Sequence, residues 1–132
     1  MKQTVMKKWV KALRSKKYKQ GQRALKIKTK AGTVKHCCLG VLCELYQKES
    51  NKKLQVTNRK VEKDEDLPQR CSVYSFAKND TGLPGVVMRW AGMKTDDGWI
   101  EGNRHVTLAC MNDDGCSFEK IADTIEDRFK DI

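Results

Sequence analysis

The chain is predicted to fold as a single α+β domain over residues 1–132, an antiparallel sheet packed with about four helices. Three observations carry this reading. Apolar residues repeat at three- and four-residue steps near both ends, they alternate in period two between Ala24 and His36, and a crowded apolar run begins at Cys37. A length of 132 residues suits one core that buries roughly 65–70% of the unfolded chain's surface without a metal or disulfide.

Thr4 is placed to cap a first helix in which Val5, Met6, Trp9, Val10 and Leu13 form one apolar stripe. Lys7, Lys8, Lys11 and Arg14 occupy the other face, and Lys16, Lys17 and Lys19 lead on to Gly21. Ala24, Leu25, Ile27 and Thr29, a turn at Lys30, Ala31 and Gly32, then Thr33, Val34 and His36 spell a β-hairpin. Lys26, Lys28, Lys30 and Lys35 continue the basic surface along it. The run CCLGVLCELYQKES is too apolar for a half-exposed strand and predicts a buried helix at the centre of the core, with Gly40 permitting close packing.

Short strands are expected around residues 53–57 and 71–76, with the acidic stretch VEKDEDLPQ as a surface loop before the second. Pro84 suits the first turn of a helix bearing Val86, Val87, Trp90 and Ala91, which Gly92 ends. HVTLACMNDDG reads as a strand or short helix before a tight turn. Ser117 is placed to cap a last helix whose stripe Phe118, Ile121, Ala122, Ile125 and Phe129 lies opposite Asp123, Glu126, Asp127 and Lys130.

Charge is segregated along the chain. Residues 1–60 hold 18 of the 27 Lys and Arg but only Glu44 and Glu49, a balance of +16, while residues 61–132 hold 9 basic and 15 acidic side chains, −6, which together make the net +10. An asymmetry of this size points to an electrostatic task and a polyanionic partner. A hydrophobic fraction of 39% excludes a disordered chain. No apolar run approaches the roughly 18 residues of a membrane span, and MKQTVMKKWVKAL is amphipathic rather than signal-like. Neither export nor a membrane partner is expected, and the chain is placed in the cytoplasm.

In that compartment Cys37, Cys38, Cys43, Cys71, Cys110 and Cys116 read as reduced, mostly buried thiols. A zinc site drawn from His36, Cys37, Cys38 and Cys43 with Cys110 and Cys116 is the sharper alternative. No CxxC or HxxxH spacing supports it, so no metal and no cofactor is expected.

The blocks WVKALRSKKYKQGQRAL, CCLGVLCELY, LPGVVMRWAG and TLACMNDDGCSFEKIADTIED, in this order, resemble a family of small uncharacterised proteins encoded by bacteriophages and some bacterial genomes. The resemblance implies an accessory protein acting in the cytoplasm of a bacterial host during infection. It brings no activity, no cofactor and no residue roles.

A non-enzymatic, counter-defence protein that sequesters an anionic nucleotide-type ligand, such as a cyclic nucleotide immune signal, needs cations for phosphate and an aromatic face for a base. Tyr18, Lys19, Gln22 and Arg23 around Gly21, with Trp99, Asn103, Arg104 and His105, meet that need. Each of these residues also has an ordinary explanation as a core rim or helix exit. The alternative partner is nucleic acid, or an acidic host protein, met by the lysine face of the first helix and hairpin. Lysine in excess of arginine favours phosphate contact without base reading.

Catalysis has the weakest signal. His36, His105, Asp96, Asp97, Asp113 and Asp114 share no recognised acid–base spacing, and no phosphate-binding loop or nucleophile elbow occurs. Asn112, Asp113, Asp114 and Gly115 make an ordinary turn. A homo-oligomer is a further expectation, with Trp9, Trp90 and Trp99 as interface material.

Overall fold

In the computed structural model, which describes residues 1–63, 67 and 70–132, the elements run α1 (Gln3–Arg14), β1 (Lys26–Thr29), β2 (Val34–His36), α2 (Cys38–Ser50), β3 (Val56–Val61), β4 (Cys71–Phe76), α3 (Gly85–Ala91), α4 (Leu108–Asp113) and α5 (Phe118–Arg128). The strands form one antiparallel sheet in the order β2-β1-β4-β3. This is the α+β fold that the patterning predicts. Its fifth helix is α4, at the segment whose sequence suits strand and helix alike.

The α1 stripe is buried as its spacing requires. Trp9 is fully buried, and its Nε1 donates to the Cys38 carbonyl at 2.9 Å; truncating such a ring costs about 3–5 kcal/mol. Thr4 does not cap the helix, which starts at Gln3 with Lys2 in the N-cap position and no side-chain cap. The Lys2 N–H instead donates to the Ala91 carbonyl at 2.8 Å. A tertiary contact with the end of α3 sets this helix start, which local capping preference could not anticipate.

β1 and β2 pair as expected, with Lys26 opposite His36 and Lys28 opposite Val34. α2 is buried on every side from Cys38 to Cys43. A Cβ on Gly40 would lie 1.7 Å from the Leu25 carbonyl oxygen, so helix and hairpin meet through bare backbone.

β4 spans the expected 71–76, but β3 runs from Val56 to Val61 rather than around residues 53–57. All of β3 except Val61 is exposed, so no apolar alternation marks it; its pairing with β4 decides its position. Of the expected acidic loop, residues 64–66, 68 and 69 lie outside the described residues. Pro84 precedes α3 and Gly92 ends it at φ +69°. Side chains cap the last two helices: Thr107 accepts from the Cys110 N–H at 3.0 Å, and Ser117 from the Lys120 N–H at 3.2 Å.

The helices, Phe76 of β4 and connecting-segment residues such as Leu25, Leu83 and Ile100 build the main core. A smaller cluster of Ala24, Cys71 and Val73, with Ile27, Val61 and Leu67, covers the opposite sheet face, because successive strand residues alternate sides. In space, moreover, the basic and acidic parts of the chain meet. Arg14 on α1 binds Asp123 at 2.6 Å and Glu126 at 2.9 Å on α5, and Arg59 binds Asp80 at 3.1 Å. Part of the charge asymmetry is therefore compensated within the fold. No helix among the described residues is long and apolar enough to cross a membrane.

Candidate functional site

Strand register brings distant cations together. Lys28 of β1 and Lys60 of β3 both stand opposite Ser72 of β4, and one step along, Lys26 and Asn58 stand opposite Tyr74. Paired residues project from the same face, so a row of Lys28, Ser72 and Lys60 crosses three strands. The hairpin turn adds Lys30 and Gly32, and the residue before β4 adds Arg70; together they line an open recess of about 660 Å³. Arg70 is held by Glu62, its Nε lying 2.9 Å from both carboxylate oxygens. Lys28, Lys30 and Lys60 have no carboxylate within ion-pair distance among the described residues. Among the described residues the lining offers cations, the Ser72 hydroxyl and the Tyr74 ring.

Behind this recess, Glu44 Oε1 lies 3.0 Å from both His36 Nε2 and Lys26 Nζ. The Lys26 ammonium sits 5.1 Å from the Tyr74 ring centre. Burial pushes the Glu44 carboxyl up, but the hydrogen bonds from His36 and Lys26 and their charges outweigh it and hold it below the ordinary value. His36 is buried, so its imidazole serves this internal contact rather than an exposed site. Of the other acid–base candidates, Asp113 accepts the Arg23 N–H at 2.8 Å, Asp97 accepts the Thr95 hydroxyl at 2.7 Å, and Asp114 ends α4.

The residues singled out by sequence have two separate anchorages. Tyr18 is half-buried and edge-on to His36, with ring centres 5.3 Å apart, and the Lys19 carbonyl accepts the His36 N–H at 2.9 Å. Gln22 donates to the Asn112 carbonyl at 3.3 Å. Arg23, at φ +68°, lines a recess of about 480 Å³ with Asp96, Asp97 and Asp113. This first group is thus held against α4 and the hairpin. Trp99 is 37% exposed and its Nε1 donates to the Asn103 carbonyl at 3.1 Å. Arg104 and His105 are exposed, and the loop is tied to the chain end by Arg128, which donates to the Glu101 carbonyl at 2.9 Å.

Lys60, Arg70 and Tyr74 escaped the sequence reading, although Lys28 and Lys30 were legible as part of a basic hairpin. Only alternation within β3 could have hinted at Lys60, and that strand lacks it.

Among the described residues no group of three or more His, Cys, Asp and Glu side chains is placed to hold a metal. Cys37, Cys38, Cys43 and Cys71 are buried, Cys116 is half-buried and Cys110 is exposed. Burial pushes the Cys37 thiol up to about 11 and raises Cys38 and Cys43 as well, so these three are neutral apolar groups.

No curated protein and no solved structure matches the chain. A family model, described as Domain of unknown function (DUF8296), matches residues 1–129. Because that match runs through every element from α1 to α5, the chain belongs to this family.

Proposed function

We propose that the chain is a non-enzymatic binder that sequesters a small phosphorylated, nucleotide-type ligand on its open sheet face. The observation that supports this most is the convergence of Lys28, Lys30, Lys60 and Arg70 on one recess of about 660 Å³, a size within the range of small-molecule sites. Ammonium and guanidinium groups suit phosphate, and the Tyr74 ring suits a base. Similarity of the sequence blocks to bacteriophage-encoded proteins supports a counter-defence setting in a bacterial cytoplasm, where the ligand would be a cyclic nucleotide immune signal.

The test is recovery of ligand. Purified protein is incubated with cyclic dinucleotides, cyclic trinucleotides or cyclic ADP-ribose isomers, then heat-denatured, and is expected to release one of them intact. At a free ligand concentration about 100 times Kd, folding is stabilised by roughly 2.7 kcal/mol. Lys28→Glu with Lys60→Glu should abolish that gain. A chemically altered ligand, or unchanged binding in the double variant, overturns the reading.

The open, lysine-dominated rim favours one second reading, nucleic acid held by its phosphates or an acidic protein that mimics them. Binding of random duplex whose log affinity falls with log salt by about 0.9 per phosphate neutralised would select nucleic acid. Self-association is proposed through the exposed Trp99 rather than Trp9, which is fully buried; a monomer by light scattering would remove it.

A further inference from the structure

A second recess, of about 350 Å³, opens between the later part of α1 and the α2 surface. Its lining has two parts. Ala12, Tyr18 and Leu45 form an apolar wall, while Lys8, Lys11, Lys17 and Lys48 form a cationic rim with Ser15 and Glu49. Among the described residues Glu49 is the one acid in that lining, and it is engaged by Lys8. Among the described residues Lys11, Lys17 and Lys48 form no ion pair, although the charge of Lys48 also acts on Glu49. Ammonium groups gathered in this way repel one another, and a bound anion relieves the repulsion.

Tyr18 adds a directional element. Its ring meets His36 at 89°, a contact that fixes the ring plane, and its hydroxyl has no hydrogen-bond partner among the described residues. Burial, and then the charge of Glu44, hold its pKa above the ordinary tyrosine value, so the hydroxyl remains a donor at neutral pH.

We propose that this recess is a second anion site, built for a flat aromatic ring that carries one or two negative charges. The ring lies against Ala12, Tyr18 and Leu45, and the charge lies among Lys11, Lys17 and Lys48. Inorganic phosphate would satisfy the lysines but leave the apolar wall wet, and a neutral ring would leave the lysines uncompensated. Among the described residues the sheet recess is lined by Lys28, Lys30, Lys60 and Arg70 with little aliphatic wall, so the two sites select different chemistry. This inference does not rest on the reading of the sheet recess.

The probe is anilinonaphthalene sulfonate, a flat aromatic anion, titrated by fluorescence into the full chain at low salt. Saturable one-site binding is expected. Lys11→Glu with Lys48→Glu should weaken it at least about tenfold, Tyr18→Ala should weaken it, and inorganic pyrophosphate at matched ionic strength should not displace the probe. Both lysines are exposed, and the milder Lys11→Gln with Lys48→Gln is a second variant should the reversal of charge disturb folding, which the melting curve reports. Lys28→Glu with Lys60→Glu should leave probe binding unchanged, so failure of the sheet site and failure of this one are distinguishable. Unchanged binding in both Lys11/Lys48 variants, loss in the Lys28/Lys60 variant, displacement by pyrophosphate, or non-saturating binding overturns the proposal.

Discussion

Gln20 and Asn112, 92 residues apart, are joined side chain to side chain, the Gln20 Nε2 donating to the Asn112 Oδ1 at 3.1 Å. The same oxygen accepts the Cys38 N–H at 3.1 Å, and the Asn112 Nδ2 donates to the Gly21 carbonyl at 2.8 Å. Gln20 also donates to the Cys116 carbonyl at 2.7 Å and accepts the Phe118 N–H at 3.1 Å. The segment YKQGQR, which reads as a ligand loop, is therefore committed in part to tying the start of α2, the end of α4 and the start of α5 to the chain before the hairpin.

Asn112 is fully buried, and its removal leaves the Cys38 N–H and the Gly21 carbonyl without these partners and takes one of two acceptors from the Gln20 amide. Asn112→Ala should cost about 2–4 kcal/mol, read as a lower urea midpoint. Asn112→Asp should be at least as damaging at neutral pH, because a carboxylate cannot donate to the Gly21 carbonyl. A midpoint unchanged in both variants would show that the network contributes no net stability.

Gly40 allows no side chain. With a Cβ only 1.7 Å from the Leu25 oxygen, Gly40→Ala must force α2 away from the hairpin. A loss above about 3 kcal/mol is expected, seen as a low or absent cooperative melt by circular dichroism. Gly32→Ala is the control: nothing lies within 4 Å of a Cβ there, and its φ of +88° leaves only backbone strain, so the effect should be about 1 kcal/mol.

Glu44 gives stability a definite pH dependence. Its folded pKa lies below the ordinary 4.5, so its contribution is fully present above that value and is lost as pH falls through the lower folded value. Glu44→Gln lacks this term. The stability difference between wild type and Glu44→Gln should thus shrink as pH falls below 4.5, measured by urea unfolding across the acid range. A difference that persists undiminished in acid would remove the ionised carboxylate from the account.

Thiol reactivity should separate the cysteines by depth. In the native protein a thiol reagent should modify exposed Cys110 first and half-buried Cys116 next, while Cys37, Cys38 and Cys43 react only on unfolding, since burial raises their pKa and blocks access. Mass spectrometry of the labelled chain reads the order. Early labelling of Cys37 would indicate a reactive thiol.

The legible parts of the fold are those where a buried face imposes a period. Val5, Met6, Trp9, Val10 and Leu13 in α1, and Phe118, Ile121, Ala122 and Ile125 in α5, announce their helices because each stripe packs into the core. β3 escapes because its residues Val56–Lys60 are exposed, and its place comes from hydrogen bonding to β4 rather than from its own pattern. Trp9 illustrates the limit for single residues: periodicity puts it on the apolar stripe, but only packing shows that its ring is fully enclosed and unavailable to a partner.

The amino-acid order alone determined the α+β class, the two amphipathic helices, the hairpin and the excess of cations in the first 60 residues, since each follows from local spacing or counting. Tertiary structure decided where those cations lie. Strand pairing sets Lys28 and Lys60 on either side of Ser72, while packing engages Arg14 with Glu126 and Lys26 with Glu44. Charge is a local property of a residue, whereas the field it contributes depends on neighbours that pairing and burial choose.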